Sequence, residues 1–212
     1  MQTDDLIRVL VSDLHISTRS VRQWFVICLS IGFVVAGVLF WLVLGPRDDI
    51  AAAAGSPRFV LKIVEMLLLA ATAAILALRL VRPAASAQAA AIAVFAAAML
   101  LVVAAGFELL VVPPRQWSAK LIGSNARVCL TAIPILSLPV LASVLYALRQ
   151  GAPTRPPMAG AAAGLLAGAT AAALYALHCT DDSPLFVATW YPLAIGGVIL
   201  LGWAVGQRAV RW

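Results

Sequence analysis

Charge is scarce in this chain. Only 11% of its 212 residues are Asp, Glu, Lys or Arg, where ordinary soluble domains carry roughly 25%. A water-soluble enzyme needs a charged surface, and a disordered chain needs still more charge, so both classes are excluded. Cysteine is scarce too: three residues cannot build the framework of a disulfide-stapled domain. Long polar stretches are missing as well. The longest is the first 23 residues, and no later connection much exceeds about 15, which leaves no room for a soluble catalytic domain. No cleavable leader is expected, because the first apolar stretch is long enough to span and no small-residue cleavage site precedes the polar loop after it.

What is abundant is apolar. The hydrophobic fraction is 63% and the mean hydropathy is +1.01. A spanning helix needs about 20 mostly apolar residues. Six stretches qualify, at 24–44, 59–80, 89–112, 128–148, 158–178 and 188–206. Turn residues separate them: Gly45-Pro46, Pro113-Pro114, Pro153 with Pro156-Pro157, and Ser183-Pro184. The expected fold is an all-α polytopic bundle of six transmembrane helices. Its parts are an N-terminal segment (1–23), the bundle (24–207) and a short tail (208–212).

The net charge of +6 does not form a basic patch of the kind nucleic acid requires, so no direct nucleic-acid partner is expected. It reads instead as a topology signal. Six spans put both termini on one side of the bilayer. That side carries Arg8, Arg19, Arg22, Arg79, Arg82, Arg149, Arg155, Arg208 and Arg211. The other side carries Arg47, Arg58, Lys62, Arg115, Lys120 and Arg127. The basic excess predicts cytoplasmic termini.

Residues 3–14 read as a short amphipathic helix. Thr3 suits an N-cap, and Asp4 and Asp5 suit the positive end of the helix dipole. Leu6, Leu10 and Leu14 recur every four residues with Ile7 and Val11 beside them, giving one apolar stripe. Twelve residues rarely hold a helix alone in water. The stripe therefore lies on lipid or the bundle, or docks into a groove on a soluble partner. Asp4, Asp5 and Asp13 disfavour an anionic lipid surface.

Cys129 and Cys179 sit at matching depth on the side away from the termini, whereas Cys28 reads as a small packing residue near the other face. Three readings of the outer pair are open. The thiols form a reversible disulfide, they bind a soft metal with His178, Asp181 or Asp182 as further ligands, or they are two buried small residues. Burial raises a thiol pKa, and Arg127, two residues before Cys129, is the candidate to offset it. Glu65 and Glu108 lie toward the same rim, where structural pairing is expected, such as Glu65 with Lys62 or Arg127. Gly160, Gly164 and Gly168, with Gly202 and Gly206, mark smooth faces for close helix packing. Pro134 and Pro139 predict kinks in the fourth span.

The opening Thr3-Asp4-Asp5-Leu6-Ile7 with Ser12-Asp13-Leu14 resembles the start of the NrsF-type membrane anti-sigma factors of proteobacteria. So do Asn125-Ala126-Arg127 before Cys129, the tract His178-Cys179-Thr180-Asp181-Asp182-Ser183-Pro184, and Thr189-Trp190-Tyr191-Pro192. The resemblance covers essentially the whole chain and implies a non-enzymatic, multi-pass inner-membrane protein. Such a protein sequesters an extracytoplasmic-function sigma factor in the cytoplasm through Asp4, Asp5, Leu6, Ile7, Leu10, Val11 and Leu14. Cys129 and Cys179 would be its sensing pair for oxidants or toxic metals, with no resident cofactor beyond transient heavy-metal binding. Membrane lipid is the other expected partner, and a monomer is the default. Two other readings remain: a small transporter or channel, disfavoured by the lack of a midplane acid or paired broken helices, and a thiol oxidoreductase, which would lack a C-x-x-C motif.

Overall fold

The computed structural model describes residue 5 and residues 20–82, 85–151 and 153–210. Asp5 is helical and exposed. The other residues of the expected docking stripe, Asp4, Leu6, Ile7, Leu10, Val11 and Leu14, lie outside the described residues.

The described helices are α1 (Val21–Val43), α2 (Ile50–Ala53), α3 (Pro57–Leu80), α4 (Gln88–Val111), α5 (Trp117–Ile122, led by a 3-10 turn at Pro114–Gln116), α6 (Ala126–Arg149), α7 (Pro156–Ala176) and α8 (Pro184–Ala209). Six of them, all but α2 and α5, are long and apolar enough to cross a membrane. The protein is thus an all-α, multi-pass bundle. Large side chains such as Val34, Trp41, Leu42, Phe95, Phe107 and Leu110 stand more than 60% exposed along α1 and α4. In water such a surface would aggregate; against lipid tails it is the solvated face.

Several ends differ from the expected ones, each for a local reason. Helix α1 starts three residues early because Ser20 and Gln23 form a capping box. Gln23 N donates to Ser20 Oγ at 3.3 Å and Ser20 N to Gln23 Oε1 at 2.9 Å, so two otherwise orphaned donors are satisfied reciprocally. Helices α3, α7 and α8 each begin on proline at the first turn, where a missing N–H costs nothing. Helix α8 therefore starts four residues before the expected span. Helix α7 stops at Ala176, not at His178. His178 N and Cys179 N both donate back to Tyr175 O, which closes the last turn and leaves the His178–Cys179 pair in the loop.

Helix α7 is central, packing against α3, α6 and α8. Its alanine and glycine content explains the position: only small side chains let neighbours approach from several directions. Against α8 the approach is backbone to backbone. A Cβ on Gly160 would meet Gly202 O, and one on Gly202 would meet Gly160 O, both well inside van der Waals contact. Helix α1 leans on α6 at Gly32, where an added Cβ would lie 2.9 Å from Val140 Cα and 3.0 Å from Pro139 O. Helix α6 stays helical through Pro134 and Pro139, with Ser137 Oγ donating to Pro134 O at 2.6 Å and Ser143 Oγ to Pro139 O at 2.7 Å.

The interior divides into two clusters. One holds Phe25, Cys28, Val81, Leu148 and Val210 and lies at the end of the bundle from which α1 starts and at which α8 finishes. The other holds Phe40, Met66, Cys129, Cys179, Phe186 and Tyr191, at the opposite end.

Candidate functional site

The opposite end is organised around the seven-residue loop 177–183, between α7 and α8. Every other connection on that face reaches into it. From the α1–α2 loop, Arg47 N donates to Leu177 O at 3.0 Å, and Gly45 O lies 3.0 Å from His178 Nδ1. From α3, Lys62 Nζ donates to Cys179 O at 2.9 Å and to Asp182 Oδ1 at 2.5 Å. Arg47 Nη1 donates to the other Asp182 oxygen at 2.8 Å and its remaining nitrogens pair with Asp49. Both cations stand over the Phe59 ring, at 5.6 and 5.4 Å from its centroid, so an aromatic face assists their burial.

From the α5–α6 turn, Ser124 N, Asn125 N and Asn125 Nδ2 all donate to Asp181 Oδ2, at 3.0, 2.8 and 2.9 Å. Partial burial pushes the Asp181 carboxyl up, but these hydrogen bonds outweigh it and hold the group below its ordinary 3.8. From α4, Glu108 Oε2 accepts from Ser183 Oγ at 2.6 Å and Leu185 N at 3.0 Å, and Glu108 Oε1 lies 3.3 Å from Arg58 Nη2. Glu108 thereby caps the start of α8, filling an acceptor role that no side chain within that helix supplies.

Within this frame lie the two thiols. Cys129 opens α6 and Cys179 follows α7, yet both are 0% exposed, both are free thiols, and both belong to one buried cluster. Tyr175 and Tyr191, with ring centroids 6.0 Å apart, wall the same space. Burial pushes the Cys179 thiol up, and the Lys62 charge is the main influence pulling it back. Chemically, the arrangement is a protected dithiol beside a buried ammonium, closed off by a loop that cannot move without breaking bonds to four other segments.

The remaining expected site residues divide. Asp181 and Asp182 are in the site, but each is committed to partners of its own: Asp181 to the turn before α6, Asp182 to two cations. His178 turns to Gly45. Among the described residues no group of three or more His, Cys, Asp or Glu is arranged to hold a metal ion. Arg127 is exposed and takes no part; the cation beside the thiols is Lys62. The expected pairing of Glu65 with Lys62 or Arg127 is not formed. Lys62 is drawn to Asp182 across the bundle, and Glu65 Oε2 is left buried without a hydrogen-bond partner. Sequence reasoning missed Arg47, Asn125, Tyr175 and the capping role of Glu108. A lone cation just outside an apolar run and an Asn before a helix were the available signals, but neither names its partner.

Compared with known proteins, residues 10–212 match the family NrsF, described as negative regulator of sigma F. A probable anti-sigma-F factor NrsF of Azospira oryzae is 34% identical over 213 residues, covering all of both chains. An anti-sigma-F factor NrsF of Caulobacter vibrioides is 35% identical over 214 residues, again covering all of both. No solved structure matches.

Proposed function

The chain belongs to the NrsF family of negative regulators of sigma F, and from that premise we propose that it is a membrane-bound anti-sigma factor acting on an extracytoplasmic-function sigma factor. It acts by binding, not by turnover. The sigma factor is held in the cytoplasm by the N-terminal segment through the stripe Leu6, Ile7, Leu10, Val11 and Leu14 with Asp4 and Asp5. The protein sits in the bacterial inner membrane with both termini cytoplasmic. The basic excess on the terminal side supports this orientation, and the apolar stripe supports a partner-binding role.

Release is triggered at the far end of the bundle by chemistry at Cys129 and Cys179. One observation carries this reading: two thiols from separate segments are enclosed together behind a loop tied to every other connection on that face. Oxidation to a disulfide removes two protons and two electrons to an oxidant and draws the start of α6 onto the 177–183 loop. A thiophilic ion bridging the two sulfurs would do the same. In either case the loop, α6 and the contact of α6 with α1 at Gly32 shift together, and α1 leads directly into the N-terminal segment. A channel is disfavoured: among the described residues the buried ionisable side chains Lys62, Glu65 and Glu108 lie toward the thiol end and mark no path through the bundle.

The test is capture of the tagged full-length protein from membranes with and without a peroxide. The sigma factor should be bound at rest and lost after oxidation, and Cys129→Ser or Cys179→Ser should abolish the loss. A sigma factor that stays bound after both cysteines are oxidised overturns the release mechanism. If no sigma factor is bound at rest, the anti-sigma reading itself fails.

A further inference from the structure

Lys62 is unusual for a lysine on a spanning helix. It is 2% exposed, so its ammonium does not snorkel to the bilayer surface as lysine side chains near helix ends do. It is spent on Cys179. The ammonium donates to the carbonyl of that residue at 2.9 Å, and its counter-ion Asp182 is three residues further along the same loop. The covalent geometry of one residue keeps the thiol within a side chain's length of its carbonyl, so the charge lies within electrostatic reach of the sulfur.

The other charges facing Cys179 do not take that role. Arg47, from the α1–α2 loop, reaches Cys179 O only at 3.4 Å and divides its guanidinium between Asp49 and Asp182. Asp182 is neutralised by the two cations, and the Asp181 charge is spread over the Ser124 and Asn125 donors. His178 turns to Gly45. Tyr175 and Tyr191, from α7 and α8, present phenols. Cys129 shares the buried cluster, but the Lys62 ammonium is fixed by its hydrogen bond to the Cys179 carbonyl, whereas the Cys129 backbone N–H is turned into its own helix, donating to Asn125 O.

We propose that Lys62 is a positioning residue that makes Cys179, not Cys129, the thiol of the pair that reacts first with an electrophile. This deepens the reading of the two thiols as the sensing pair and rests on it for its biological meaning. The chemistry, however, is measured on the thiols alone. The ammonium stabilises the Cys179 thiolate, which is the nucleophilic form. Cys129 then acts as the second, resolving thiol.

The test uses the full-length chain in membranes, in a Cys28→Ser background, with either Cys129→Ser or Cys179→Ser so that one thiol remains. The probe is iodoacetamide: the thiolate attacks the methylene carbon, a sulfur–carbon bond forms and iodide leaves. Rates are followed from pH 6 to 11.5 by mass spectrometry, because burial already lifts the Cys179 midpoint above the ordinary thiol range. Cys179 should react about tenfold or more faster than Cys129 near pH 7. Lys62→Met should move the Cys179 midpoint upward by about 1–3 pH units, the effect of removing an adjacent opposite charge. Lys62→Arg should restore it. A change in accessibility alone scales the rate at every pH and leaves the midpoint in place, so an unmoved midpoint overturns the proposal. Faster reaction of Cys129 overturns it too. If Lys62→Met fails to fold, Lys62→Gln keeps a donor for Cys179 O without the charge, and the same shift is required of it. If the midpoint moves but thiol modification leaves the sigma factor bound, the sensing reading fails and the assignment of Lys62 stands.

Discussion

Gly160→Ala perturbs the backbone-to-backbone contact of α7 with α8. The added methyl would point at the Gly202 carbonyl and come within 2.8 Å of Gly206 Cα. Both obstacles are backbone, so no side chain can rotate away, and α7 and α8 must separate locally. Inserting a methyl into a packed interior costs about 1–3 kcal/mol, a factor of about 5 to 150 in the folding equilibrium. Alanine is also a better helix former than glycine by about 0.8–1 kcal/mol, which would mask part of this. Gly37→Ala supplies the correction: that glycine is on α1 with nothing within 4 Å of its Cβ position, so it reports the propensity gain alone. The assay is SDS titration of the purified proteins in mixed micelles, followed by circular dichroism. Gly37→Ala should match or exceed the parent, and Gly160→Ala should fall below Gly37→Ala by about 1–3 kcal/mol. The double variant Gly160→Ala with Gly202→Ala should lose less than the sum, since the two methyls open the same gap. If Gly160→Ala and Gly37→Ala unfold at the same SDS fraction, the backbone-to-backbone packing of α7 on α8 is wrong.

Glu108→Ala should destabilise by about 1–3 kcal/mol through the stranded Leu185 N–H alone, while Glu108→Gln, which keeps an acceptor, should recover most of it; equal losses in the same titration would deny the cap. The Asp181 carboxyl is depressed in the folded protein, so its contribution is complete above its ordinary 3.8 and is lost as pH falls through the lower folded value. Stability in the same SDS titration should therefore fall as the pH is taken below about 3.8, and Asp181→Asn should lose less over that interval than the parent does. Leu6→Asp or Leu10→Asp should free the sigma factor without oxidant, read by reporter transcription; retained repression speaks against the docking stripe. Pro134→Ala with Pro139→Ala, which restores two backbone donors to α6 near its contact with Gly32 of α1, should leave the protein folded but blunt release on oxidation; an unchanged oxidant response would exclude α6 as the transmitting helix.

The span count, the all-α class and the face on which the two cysteines lie are properties of apolar run length and connection parity. These are local quantities, so they were legible in the sequence. So was the approximate place of each helix, with errors where a cap decides: Ser20 with Gln23 moved the start of α1, and the turn closed on Tyr175 O released His178 and Cys179 from α7. Gly160 and Gly202 were readable as packing positions, because a glycine pattern in an apolar helix has few other uses. Which helix each faces was not readable, because partner choice is a property of the whole bundle. The charges show the limit most clearly. Along the sequence, Lys62 lies one turn from Glu65, and Arg127 lies two residues from Cys129, so each pair was the natural expectation. The fold sends Lys62 across to Asp182 and the carbonyl of Cys179, 117 residues away, and leaves Arg127 at the surface. A buried ammonium takes the best-placed carboxylate in space, since desolvation makes an unpaired charge far costlier than a missed local contact. The sequence determined that two thiols would stand at one end of a membrane bundle; the tertiary structure alone decided which cation stands beside them.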